Sequence, residues 1–121
     1  MYLGKRTLDA KFVKSFNYLG VTDDFIEILH DYYINGWHPG GFFESTLCND
    51  MHRAMCRCHQ LNDTKSIIGI CKWIRSVAPP ESYGTLEKVS AWIAMTKEQR
   101  HEILQKRNIM LTPWEILGGT N

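Results

Sequence analysis

Cys48, His52, Cys56 and His59 stand four, four and three residues apart. That spacing would line thiols and imidazoles along one side of a helix, which invites a zinc reading. Length opposes it. At 1.5 Å of rise per residue Cys48 and His59 would lie about 16 Å apart, so one ion cannot touch all four. His52 with Cys56 could at best join ligands from elsewhere, such as Cys71 or His38, and no CxxC pair of the zinc-ribbon kind is present. The expectation is no metal, with His52 and Cys56 as the alternative ligands.

Nucleophilic catalysis would need a Cys or Ser beside a base that is itself oriented, and no local signature places such a pair together. Gly40-Gly41 could hold an anion on helix N–H groups, yet no phosphate-binding Lys-Ser/Thr follows. Neither an enzyme nor a cofactor is therefore expected. Arg53, Arg57, Lys65, Lys72 and Arg75 could form a modest basic surface for nucleic acid. With a net charge of +1, the chain lacks the excess that phosphate neutralisation usually demands.

The element that must position most of these residues is Gly40 to His59. At roughly 100° per residue, Phe43, Leu47, Met51, Ala54 and Cys58 fall on one stripe, the pattern of a helix facing a core. Residues 40–59 thus read as one central helix, entered through His38-Pro39-Gly40 with Glu44 in its first turn. Asn49 and Asp50 sit in its middle although both compete with backbone hydrogen bonding. On the wheel Asp50 borders the core stripe and Arg57 lies two turns along the same edge. Asn49, Asp50 and Arg57 are therefore expected to form a structural polar clamp, with the carboxylate meeting a helix start or an arginine.

Around this helix the spacing predicts four or five more, making one all-α domain of five to six short helices over residues 1–121. The first segment, 1–20, reads as a short helix with Leu8, Phe12, Val13 and Phe16 inward, or as an edge strand. Thr22 caps the next, with Phe25, Ile28, Leu29, Tyr32 and Tyr33 inward and Asn35-Gly36 as its end. A third helix follows Asn62-Asp63-Thr64, with Ile67, Ile68, Cys71, Ile74 and Val77 inward, and stops at Pro79-Pro80. Gly84-Thr85 opens a short helix, and Thr96 with Gln99 makes a capping box for another. The apolar tail, 108–121, either folds back through Trp114, Ile116 and Leu117 or presents them to a partner.

The run GGFFESTLCNDMHRAMCRCHQLN, with Pro80, Tyr83, Gly84, Val89 and Trp92 downstream, resembles a motif of small uncharacterised bacteriophage proteins: Gly-Gly-Phe-Leu, a leucine, Asn-Asp-Leu, then Arg-Ala-Asp. The likeness spans about Tyr32 to Ile93. Cys58-His59 stands where the motif has Ala-Asp, and Cys48 and Cys56 occupy small-residue positions. The family carries no settled activity, so the resemblance implies an origin more than a mechanism.

Composition is that of an ordinary globular domain: 121 residues, 44% apolar and 22% charged. No apolar run approaches the ~18–20 residues that span a bilayer, and no secretory signal is evident. The four cysteines are expected as reduced thiols in a cytoplasmic protein. Charge is segregated: from Ser15 to Met51 there are six acids and no Lys or Arg, and from Arg53 to Arg107 ten Lys/Arg against five Asp/Glu. The sequence thus predicts a non-enzymatic protein that binds a host protein, such as a CRISPR or restriction component, as the resemblance implies. Asp23, Asp24, Glu27 and Asp31 would steer by charge, and Trp37 with His38 would anchor. The competing class is a nucleic-acid-binding or zinc-binding regulatory module.

Overall fold

The structure, a computed structural model, describes residues 8–17, 19–56 and 64–117. Among these residues the chain is all-α, with helices α1 (Ala10–Lys14), α2 (Asp23–His30), α3 (Gly41–Leu47), α4 (Met51–Cys56), α5 (Thr64–Ser76), α6 (Leu86–Ala94), α7 (Lys97–Lys106) and α8 (Pro113–Ile116). α2 runs on into a π turn, Asp31–Asn35, and a 3₁₀ turn, Pro80–Ser82, precedes α6.

Several ends follow local rules. Asp9 caps α1 by accepting the Phe12 N–H at 3.0 Å, so the N-terminal segment is helical from Ala10. Thr85 caps α6 by accepting the Lys88 N–H at 3.2 Å. Thr96 and Gln99 form the reciprocal capping box of α7. Thr22 holds the N-cap position of α2 in extended geometry, but its side chain makes no capping bond. Gly36 ends the π turn at φ 71°, a left-handed conformation that favours glycine.

The predicted helix over 40–59 is two helices. Leu47 is the last residue of α3, Asn49 turns left-handed at φ 65°, and Asp50 restarts the chain by accepting the Arg53 N–H at 3.1 Å as N-cap of α4. The freed Leu47 carbonyl accepts the Gly84 N–H at 2.7 Å. The weak helix formers at the centre of the stripe are therefore a left-handed stop followed by a start. Phe43, Leu47 and Ala54 are still buried, and Phe43 and Leu47 of α3 join the main core cluster. Of the polar clamp, Asp50 is exposed and pairs with Arg53 at 3.6 Å, one turn nearer than predicted; Arg57 lies outside the described residues.

The core is centred elsewhere. Tyr32 and Tyr33 on the π turn are fully buried and meet edge to face at 4.8 Å. Tyr33 also meets Trp73 of α5 at 5.2 Å and Trp92 of α6 at 5.6 Å. Phe12 and Phe16 of the N-terminal segment close the cluster on Trp73. Each such pair adds about 0.5–1.5 kcal/mol beyond its buried area. Two polar groups carried into the cluster have partners: the Tyr32 hydroxyl donates to the Ser82 carbonyl at 2.7 Å, and the Trp92 indole N–H to the Tyr32 carbonyl at 3.2 Å. Burial holds both tyrosine hydroxyls protonated, far above the usual phenol range.

α5 reaches this cluster on a stripe rotated from the predicted one. Ile67, Ile70, Trp73 and Ile74 are buried while Ile68 is half exposed. Gly69 sets the rotation, since a Cβ there would collide with the Leu19 carbonyl oxygen and stand 2.8 Å from Val21 Cγ2. α7 sends Leu104 and Arg100 into the interior. The Arg100 guanidinium donates to the carbonyls of Asn35 (3.1 Å), Ile34 (3.5 Å), Trp92 (3.5 Å), Ile93 (3.4 Å) and Met95. It ties together the C-terminal ends of the π turn and α6, where carbonyl dipoles favour a cation. Ile109 and Met110 dock in the core, but Trp114, Ile116 and Leu117 remain exposed.

Candidate functional site

The acidic residues follow from the start and pitch of α2. Asp23 and Asp24 occupy its first turn, where the dipole stabilises them, and Glu27 and Asp31 continue from Asp23 at four-residue intervals, one side of the helix. Asp23 and Asp24 are exposed, Glu27 and Asp31 half-buried. Asp31 is engaged locally: its carboxylate accepts the Asn35 amide at 3.1 Å and lies 3.6 Å from His30 Nδ1. This leaves the charge at the solvent end of the stripe.

Trp37 follows the left-handed Gly36, its N–H donating to the Asp31 carbonyl at 3.2 Å. It is 55% exposed although Tyr32, Tyr33 and Phe43 of the same aromatic corner are buried. His38 is half exposed but fixed: Nδ1 accepts the Gly40 N–H at 3.0 Å, so the proton sits on Nε2 and is donated to Glu44 at 3.0 Å. The structure therefore joins Trp37 to the lower end of the acidic side, while His38 is committed to the entry of α3.

The basic set does not form one stripe. Lys65, Lys72 and Arg75 share the exposed side of α5, with Ile68 between them. Arg53 is on α4 and occupied by Asp50, and Arg57 lies outside the described residues. His52 and Cys56 are one turn apart on the exposed side of α4. Among the described residues no three His, Cys, Asp or Glu side chains gather where an ion could be held; Cys58 and His59 are not among them. Burial raises the Cys48 and Cys71 thiols, and Glu44 pushes Cys48 further. Both are kept protonated and so are weak nucleophiles.

Two hollows were not foreseen. One, of about 510 Å³, opens beside α1, α7 and α8 among Asp9, His30, Lys97, His101 and Glu115. Lys11 crosses its edge to Glu115 at 2.8 Å and Asn108 at 2.7 Å, and the Asp9 N–H donates to His30 Nε2 at 2.9 Å. These groups come from opposite ends of the chain, so no local spacing announces them. The other, of about 610 Å³, lies between the α3–α4 turn, α5 and the Tyr83-Gly84 turn. The sequence assigns its lining elsewhere: Asn49 to a clamp, Arg75 to the basic surface, and Tyr83 with Gly84 to the phage-like motif.

Among the described residues no helix is long and apolar enough to cross a membrane. Compared with known proteins, the chain matches no family model, no curated protein and no solved structure.

Proposed function

We propose that this is a non-enzymatic interaction protein that acts by stoichiometric binding, through the acidic side of α2 and the indole of Trp37, to a basic surface on a partner protein. The observation that carries the reading is Trp37: a large aromatic ring, 55% exposed, held by a left-handed cap at the end of a helix that begins with two exposed carboxylates. Rigid aromatic anchors beside a charged rim are the usual composition of a binding hot spot, and charge of one sign speeds encounter with a partner of the other. The resemblance to small bacteriophage proteins extends the proposal to a host protein in the bacterial cytoplasm, such as a CRISPR or restriction component.

The test is an affinity pull-down from bacterial lysate with the wild-type chain, Trp37→Ala, and the triple change Asp23→Asn, Asp24→Asn, Glu27→Gln. One enriched protein should be retained by wild type and weakened about 30-fold by W37A. The triple variant should bind it more slowly, with a flatter salt dependence. No enriched protein, or a partner indifferent to both variants, removes the reading.

A further inference from the structure

The cleft between α3, α5 and the Tyr83-Gly84 turn carries chemistry that the interaction reading does not use. Its floor is apolar, from Leu47, Ile74 and the half-buried Cys71, and Asn49, Arg75 and Tyr83 bring polar groups to it. Two other polar groups there are already engaged. The Thr46 hydroxyl donates to the Phe42 carbonyl at 3.0 Å, and the Gly84 N–H to the Leu47 carbonyl.

Arg75 differs from the other described arginines. Arg53 pairs with Asp50, Arg100 with five carbonyls, and Arg107 with the Val77 carbonyl at 3.0 Å. Arg75 makes no hydrogen bond or ion pair with any described residue. No described Asp or Glu lines the cleft. The acids at this end, Glu44, Asp50 and Glu87, act instead on Cys48, which is not part of the lining. A second cation stands at the mouth: Lys88 Nζ lies 4.0 Å from where a Cβ on Gly84 would be.

We propose that this cleft is a binding site for a small organic acid, its carboxylate paired with Arg75 and its apolar body resting on Leu47, Ile74 and Cys71. The volume, about 610 Å³, falls within the roughly 300–1,000 Å³ of pockets that hold such ligands, and an apolar floor with a few convergent donors is their usual make-up. The guanidinium fork matches a carboxylate with two parallel hydrogen bonds. The Asn49 amide and the Tyr83 hydroxyl supply neutral donors to the same group. Gly84, at φ 117°, lines the cleft without a side chain.

The probe is 4-phenylbutyrate, titrated into the 15N-labelled full chain, with 4-phenylbutyramide as its uncharged counterpart and inorganic phosphate as an anion without an apolar body. Expected are saturable shifts at the Gly84 and Cys71 amides and at Arg75 Nε, at least about tenfold weaker for the amide, for phosphate and for Arg75→Gln. N-acetyl-alanyl-phenylalanine with a free carboxylate forms a second arm. Either acid binding in this way supports the site, and the tighter of the two tells a free acid from a peptide terminus. Equal affinity of acid and amide, undiminished binding by R75Q, or no saturation by ~10 mM overturns it. The amide comparison needs no mutation, so it stands even if R75Q is poorly folded.

Discussion

Replacing Asn49 tests the break in the central segment, because the two architectures predict opposite signs. At φ 65° an alanine meets the steric penalty of the left-handed region, about 1–2 kcal/mol, part of which asparagine escapes through its short polar side chain. Asn49→Ala should therefore cost about 1 kcal/mol, and Asn49→Gly should be neutral or stabilising by a few tenths. A continuous helix over 40–59 would reverse the order, since alanine would gain about 0.5 kcal/mol over asparagine by helix propensity and glycine would lose a few tenths. For a domain of this size 1 kcal/mol corresponds to roughly 4 °C in Tm. Urea unfolding followed by circular dichroism at 222 nm reads the difference, with the slope on denaturant unchanged. Asp50→Ala supplies a second reading: it removes the acceptor of the Arg53 N–H and should cost about 1 kcal/mol as a lost cap. An Asn49→Ala variant more stable than wild type, with Asn49→Gly less stable, would refute the two-helix arrangement and with it the turn that borders the acid-binding cleft.

Two further outcomes follow from the interior. Arg100→Met keeps the buried stem but strands the Asn35 and Met95 carbonyls, the two best-placed of the five. With about 1.5–3 kcal/mol net for each bond from a charged donor, the loss should be about 3–6 kcal/mol in urea unfolding; a loss under ~1 kcal/mol would show that the clamp is not needed. His101 carries a pH dependence. Its desolvation, aided by Lys97 and Arg100, lowers its pKa below 6.5 although the Ile34 carbonyl, 3.1 Å from Nε2, acts in the opposite direction. The unfolded chain then binds the extra proton more readily, so this contribution to stability is complete above pH 6.5 and is lost as pH falls through the folded value. Unfolding midpoints measured from pH 7.5 down to about 5 should drop for wild type and drop less for His101→Gln; equal slopes would exclude His101 as the source.

Secondary-structure type was legible because its signals are short-range. The apolar spacing of α2, the Thr85 cap, the Thr96–Gln99 box and the Gly36 stop each act within a turn or two of helix. Charge segregation likewise placed Asp23 and Asp24 on an exposed side of α2. What the sequence left undecided are the features whose partner stands far along the chain. Residues 40–59 have the periodicity of one helix, yet the stop at Asn49 is closed both locally, by the Asp50 N–H on the Ser45 carbonyl, and from afar, by the Gly84 N–H on the Leu47 carbonyl. The stripe of α5 is shifted because the Leu19 backbone leaves room for nothing larger than Gly69. Arg100 carries a charge that composition assigns to the surface, yet it is buried because two helix ends converge on it with their carbonyls. The cleft around Arg75 exists only once α3, α5 and the Tyr83-Gly84 turn are brought together. Periodicity and caps are properties of neighbouring residues, whereas a bridging hydrogen bond, a close backbone approach and a cavity are properties of segments that meet only in the folded chain.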